Sequence, residues 1–471
     1  MNRSIMQNIA KSLLFCILTA FTANAQQVAP LLVVTDAQPL AGVLVHASNA
    51  HEYKKKIPVE LYAELRSGNI VMDVVSDLNY DFDYGADWLK EHSEDVELKD
   101  DGTLSVEGTL SKGFLFATDE IQPKTEKKRA IRKILWNVLA LNWAYPVNRY
   151  GFIIRIQQED EIFRELQGTA LRLYNWRASE TDQTGQLFRE VIEIEKPDIL
   201  NGYAWLTFRF HGRSEDVVWT YSPVIGKARQ LTGSNRSDLL AGAIAADDFL
   251  LWSGKLELVE GRRIREVEVF LPFASKNKGA LKKVGPTCSG VAETMSAAHA
   301  DQQMRWNFGS RKYAQGASWL PTDAVFTARK AFKIDLISRD PYSLYGRQTL
   351  YVDKESMLPV YKFVYDRAGK FWKSAAILYG VAQGENGVSI PYPNQMVIND
   401  LKSKRTLMMD YLNVTYCETL PEGFDMSKFD PRNLGVPKKQ RTPPKTDKKE
   451  TTAEAKKSDV LDKVEPQKKE E

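Results

Sequence analysis

Between Gly151 and Phe273 the chain repeats short runs rich in alternating or β-branched residues. They read GFIIRIQQ, EIFRELQGTALRLYNW, LFREVIEIEK, AWLTFRF, VVWTYSP, KARQL, KLELVE and REVEVFLPF, with turn residues and no regular ten-residue helix between them. Strands joined this tightly pair antiparallel, because a parallel crossover needs a dozen or more residues and usually a helix. The series therefore excludes a doubly wound α/β sheet and predicts one extended antiparallel sheet. VVWTY, the turn at Ser222-Pro223 and the returning KARQL form a meander within it. Leu206, Phe208 and Phe210 alternate with Thr207 and Arg209, which predicts one face toward the core and one charged outer face. Sheet signals return in DAVFTARKAFKIDLISRD, RQTLYVDKE and TLMMDYLNVTYCETL. LYVDKESMLPVYKF and YDRAGKFWK read as a hairpin pair with a turn at Asp366 to Gly369.

Helical periodicity is confined to a few places, which makes the fold class α+β. QPKTEKKRAIRKILWNVLAL puts Ile131, Leu135 and Leu139 on one side, and Trp136, Leu141 and Trp143 call for burial against the sheet. NAHEYKKKIPVELYAELRSG predicts one or two helices broken at Pro58 and ending near Gly68. Short helical signals also occur in GADWLKEH and ETMSAAHADQQMRW, whereas LSVEGTL and GFLFA read as strands.

The two ends differ in character from the body. Arg3 and Lys11, the apolar SLLFCILTAFT and the small-x-small Ala23-Asn24-Ala25 predict a secretory leader over residues 1–25, cleaved before Gln26. Phe15 precedes Cys16 where a lipoprotein signal needs a small residue, so lipidation is not expected. Residues 431–471 are nearly devoid of apolar side chains, and from 437 onward hold eleven Lys/Arg against eight Asp/Glu. Such a segment cannot offset its ordering entropy by burial and is expected to be a disordered tail. Leader and tail carry more than the whole formal charge of +3 between them, so the remaining body is near −2. The slightly acidic body gives no reason to expect nucleic acid as a partner. Export leaves two cysteines, Cys288 and Cys417, either as a disulfide or as two buried thiols; a bond between them favours a single domain over residues 26–430.

No GxSxG elbow, HExxH, CxxC, P-loop or dinucleotide glycine pattern occurs, so no catalytic residue, metal or cofactor is expected. His46 and His51 are five apart, not the i,i+4 spacing of a metal pair on a helix. Adjacent carboxylates on a strand point to opposite faces, so Asp247 and Asp248 are expected to be structural, capping a turn or pairing with Lys227, Arg229 or Arg236. Arg229 and Asp366 are further structural polar positions. The aromatics Trp205, Phe208, Trp219, Tyr221, Phe249, Trp252, Tyr361, Phe363, Tyr365, Phe371 and Trp372 exceed what short strands need. Each could be an ordinary core residue; together they point to the wall of an apolar cavity.

Several blocks resemble the DUF1329 family of bacterial envelope proteins, whose sheet is thought to be related to the LolA/LolB-like lipoprotein-sorting fold. SNAHEYKKKIP, KILWNVLALNWAYPVNRYG, VVWTYSPVIGKARQL with Asp247-Asp248 and WSGKLE, and RQTLYVDKESMLPVYKFVYDRAGKFWK fall in the family's order. Gln230 stands where a second basic residue is expected beside Arg229. The resemblance implies a large curved antiparallel sheet, a half-barrel with helices covering its concave face. It also implies non-catalytic binding or transport of a hydrophobic ligand (lipid, acyl chain or lipidated molecule) in the periplasm, by a soluble or peripherally membrane-associated protein. The alternatives are an adaptor docking on an inner-membrane exporter or an outer-membrane protein, and a lipid- or glycan-acting hydrolase.

Overall fold

The computed structural model describes residues 42–76, 78, 96–106, 115–141, 145–158, 161–174, 185–210, 212, 215–231, 239–240, 244–274, 277–291, 324–384 and 389–435. The predicted leader, most of the predicted tail, Trp143, Arg236 and the two short helical signals lie outside them. The first described elements are β1 (Val43–Val45), α1 (Val59–Arg66), β2 (Met72–Val74), β3 (Val96–Leu98), β4 (Leu104–Val106) and α2 (Lys127–Leu141). Next come β5 (Val147–Gln158), β6 (Glu161–Tyr174), β7 (Gln186–Lys196), β8 (Ala204–Phe210), β9 (Val217–Ser222) and β10 (Lys227–Leu231). The short pair β11 (Leu239–Leu240) and β12 (Ile244–Ala245) leads to β13 (Val259–Phe273), β14 (Gly279–Lys283) and β15 (Cys288–Val291). β16 (Val325–Ser338), β17 (Tyr345–Asp353), β18 (Pro359–Asp366), β19 (Phe371–Gln383), β20 (Ser389–Asp400) and β21 (Arg405–Cys417) complete the series.

Antiparallel pairing runs from β13 to β16 and then in chain order to β21. β21 pairs with β5, and the ladder continues in order to β10. Four more strands complete a 17-stranded sheet. The end of β13 meets β19, Phe273 beside Tyr379, so β13, β16, β17, β18 and β19 close on themselves at one end. Such curling is how a sheet this large escapes flatness. The hairpin β14–β15 bridges β19 and β21, and the disulfide Cys288–Cys417 joins β15 to β21. The architecture is the expected α+β one, built on a large curved sheet, and the meander and the predicted turn at Asp366 to Gly369 are present.

The helices pack on opposite faces. α2 covers the face that carries Tyr150, Phe152, Arg172, Tyr174 and Tyr411. Its Leu139 carbonyl accepts from Tyr174 Oη at 3.0 Å, and Ile131 seats against Gly261 of β13. Trp136 is buried, as its apolar stripe requires. α1 lies over the other face, at the β16–β17–β18 region. On that second face, Val147, Leu171, Val191 and Leu206 form a cluster closed by Phe429 and Leu434 of the C-terminal segment. The folded body therefore continues past Asp430 to Leu434.

Two strand readings are corrected. Thr207 and Arg209 are buried rather than outward, while Phe208 and Phe210 are only half-buried. Arg209 tolerates burial because its guanidinium pairs with Asp216 at 2.6 Å and donates to the Ser253 carbonyl at 3.0 Å. Leu115 and Phe116 of GFLFA form no strand. Their amides both donate to Asn137 Oδ1 of α2 at 3.0 Å, so a side chain takes the hydrogen bonds a ladder would have used.

Gly168, on β6, is required by close approach. A Cβ there would sit 2.3 Å from the Glu193 carbonyl oxygen and 2.7 Å from the Phe152 ring. Gly168→Ala is expected to destabilise by about 2–3 kcal/mol, read as a lowered urea midpoint with an unchanged slope; an unchanged midpoint would contradict this packing.

Candidate functional site

An open cleft of ≈ 460 Å³ lies between the start of α1 and the strands β13, β16, β17 and β18. Pro58 caps α1 and turns the chain so that Ile57 and Glu60 face these strands. Strand alternation supplies the opposite wall. Arg263, Arg265, Val267 and Val269 occupy every second position of β13, and Lys333 and Asp335 lie opposite Arg265 and Arg263 on β16. Tyr351 and Tyr365 add an aromatic floor on β17 and β18. A second hollow of ≈ 720 Å³ shares Arg263, Asp335 and Arg347 with the cleft and adds Arg262 and Ile337.

Glu60 is the polar centre. Its side chain is 4% exposed and accepts from Lys333 Nζ and Tyr351 Oη, each at 3.2 Å, and from Tyr365 Oη at 3.5 Å. Burial raises both tyrosine pKa values, and the Glu60 charge adds to the effect, so both phenols stay protonated as donors. Arg347 lies 3.7 Å from the Tyr365 ring centroid, a cation–π contact that fixes its plane, and 3.7 Å from Asp335. Asp335 is in turn held by Thr349 Oγ1 at 2.7 Å.

The structure divides the predicted cavity residues among several environments. Tyr365 lines the cleft. Tyr361 and Phe363 stand behind it in an aromatic ladder with Tyr351, centroids 5.7–6.0 Å apart, and Phe371 packs on Tyr365 at 5.3 Å. Phe208, Trp219 and Tyr221 pack against the cluster beneath the C-terminal segment. Trp205, Phe249 and Trp252 are buried in the body. Trp372 stands edge-on to Tyr345 at 5.5 Å and donates to Asp400 at 2.9 Å. Arg229 is exposed on β10, and Asp366 pairs with Lys402 at 2.7 Å while its carboxylate accepts the Lys370 amide at the tip of the β18–β19 hairpin. Sequence reasoning missed Arg263, Arg265, Lys333, Arg347 and Glu60. The available signal was the period-two pattern Arg263, Arg265, Val267, Val269, which puts two cations and two aliphatics on one face.

Asp248 of the aspartate pair takes its partners from β17, β18 and β19. Asp247 and Asp248 lie in a 3-10 turn rather than a strand, and Asp248 is buried. It accepts from Lys362 Nζ and Tyr345 Oη, both at 2.5 Å, with Lys373 Nζ at 3.7 Å. Burial alone would raise the Asp248 pKa, but Lys362 and Lys373 hold its carboxyl below the ordinary value. Farther along the same segment, Ser253 accepts from Arg172 at 3.3 Å and Lys255 donates to the Phe210 carbonyl at 2.8 Å. Arg172 pairs with Glu190 at 2.6 Å; burial would lower its pKa, yet Glu190 keeps it above the ordinary value. Residues 246–258 thus span one face of the sheet, tied to β18–β19 at one end and β6–β8 at the other.

Residues 44–434 match the model of the family described as Protein of unknown function (DUF1329). The chain belongs to this family. Among solved structures, this DUF1329 chain is similar to a domain from Vibrio parahaemolyticus provisionally named an outer membrane lipoprotein-sorting protein, with 14% identity, TM-score 0.42, and 64% of this chain and 97% of that one covered. It is also similar to a DUF1329 family protein from Desulfovibrio piger, with 11% identity, TM-score 0.40 and coverage of 61% and 91%. A LolA superfamily protein from Nitrosomonas europaea gives 15% identity, TM-score 0.36 and coverage of 62% and 94%. No protein with a curated description matches the chain.

Proposed function

We propose that this DUF1329 protein binds an amphiphilic or apolar molecule non-covalently in the cleft beneath α1, as a carrier in the bacterial envelope. The carrying observation is the cleft itself, ≈ 460 Å³ with Ile57, Val267, Val269, Tyr351 and Tyr365 among its walls. That volume is within the range of ligand sites, and each methylene buried there contributes about 0.8 kcal/mol. Export through the leader predicted at residues 1–25 is the route to the periplasm. A catalytic reading of the aspartate pair loses its motive, because Asp248 is committed to a buried ion cluster. Native mass spectrometry of the exported protein is expected to show a co-purifying lipid. The neutral fluorophore N-phenyl-1-naphthylamine should bind, and Val267→Trp, which fills the cleft, should weaken it at least about tenfold, the factor expected for about 1.4 kcal/mol of lost burial. Absence of both lipid and probe binding, or indifference of the probe to Val267→Trp, would sink the reading.

The adaptor alternative has one observation in its favour. The β9–β10 hairpin exposes Val224 and Ile225 at its tip, 73% and 49% accessible. β10 pairs with β9 alone among the described strands, so it offers an edge for strand addition. Reproducible capture of a membrane protein that is lost on Ile225→Asp would favour that reading.

A further inference from the structure

We propose that the cleft selects an anionic amphiphile, one apolar chain carrying a phosphate or carboxylate head, with Arg263, Arg265 and Arg347 holding the head; this rests on the cleft reading above. Six cationic side chains, Lys55, Arg262, Arg263, Arg265, Lys333 and Arg347, line the cleft and its adjoining hollow against two carboxylates, Glu60 and Asp335. The two carboxylates are already engaged, Glu60 by Lys333 and two tyrosines, Asp335 by Thr349. Arg262 is taken by Glu260 at 3.0 Å. Among the described residues, Arg263 and Arg265 make no ion pair or side-chain hydrogen bond. Arg347 approaches Asp335 only to 3.7 Å, too far for a hydrogen bond, so its fork keeps donors to spare.

The arrangement along β13 is polar at one end and apolar at the other. Arg263 and Arg265 are followed on the same face by Val267 and Val269, about 20 Å from first to last at strand rise. A head seated among the arginines would direct its chain along the valines toward Ile57 and Tyr351. The stacking of Arg347 on Tyr365 presents a preset guanidinium plane to an oxyanion, which suits bidentate recognition better than a mobile ammonium would. The exposed acids of β13, Glu266 and Glu268, alternate onto the other face, where they pair with Lys354 and Lys56.

Calorimetry with three probes tests this: dodecyl phosphate, the neutral dodecyl maltoside below its micelle concentration, and inorganic phosphate. Dodecyl phosphate is expected to bind at least about tenfold more tightly than the maltoside, the gain of one charge-assisted hydrogen bond, with the advantage shrinking as salt rises. In the double variant Arg263→Gln/Arg265→Gln, which alters two exposed side chains, the preference should fall to within about threefold, consistent with lost charge-assisted bonds. Its urea midpoint should match the wild type, which separates recognition from folding. Equal affinity for the two amphiphiles, or an undiminished preference in the variant, overturns the head-group inference and leaves the cleft reading standing. Inorganic phosphate binding as tightly as dodecyl phosphate overturns it in favour of a free anion. Failure of every amphiphile overturns the cleft reading as well.

Discussion

Asp248→Ala should destabilise the protein by about 3–5 kcal/mol, the usual effect of removing one partner from a buried ion pair. Lys362 and Lys373 are buried, and without Asp248 both ammoniums lose their carboxylate. Replacing Lys362 by Met in the same background should recover part of the loss, because an apolar side chain no longer needs a counter-charge. A double-mutant cycle read by urea unfolding measures this coupling, and strict additivity would refute the cluster. The pH dependence follows from the direction of the shift. A carboxyl whose folded pKa lies below its unfolded value contributes stability that is present above the unfolded value of about 3.9. That contribution is lost as pH falls through the folded value. The wild type should therefore lose stability on acidification below pH ~4, and Asp248→Asn should flatten that part of the profile.

Loss of the disulfide is the second large effect. Cys288 and Cys417 are 129 residues apart, and loop-closure entropy for that span sets an upper value of about 5 kcal/mol. The double variant Cys288→Ser/Cys417→Ser should lose roughly 2–5 kcal/mol, and dithiothreitol should reproduce the loss in the wild type while leaving the variant unchanged. Identical urea midpoints for oxidised and reduced wild type would show that the bond does not contribute. Between β15 and β21 the ladder holds only three residue pairs, Cys288 to Gly290 against Thr415 to Cys417, so the covalent link is the main tether of the β14–β15 hairpin on that side.

The sheet was legible because period-two alternation and turn residues are local signals. The hairpins around Asp366 and Ser222 and the long helix with Ile131, Leu135 and Leu139 appear where their residues place them. Failures came where tertiary partners override the local pattern. Arg209 looks like an outward strand residue until Asp216 and Ser253 are brought to it, and Leu115-Phe116 reads as strand until Asn137 takes both amides. The partners of Asp248 lie 97 or more residues away, beyond any spacing argument. At the cleft the aromatic excess pointed toward β17 and β18 and found Tyr365. It missed the cationic wall because a charged residue on an edge-like strand looks solvated, and only strand neighbours reveal how many cations share one hollow.

The β21–β5 seam carries a consequence for how the chain comes together. It joins strands as far apart as Arg405 and Gln158, whose side chains meet across 247 residues of sequence. β5 through β10 can form their local hairpins early, but β5 must wait with an open edge until the last strand has emerged. Pairings of this range fold slowly, and an unfilled edge invites another chain to occupy it. A chain ending before Arg405 would leave both β5 and β20 without the strand that covers them, so truncation from the C-terminal side should produce aggregation rather than a smaller soluble body.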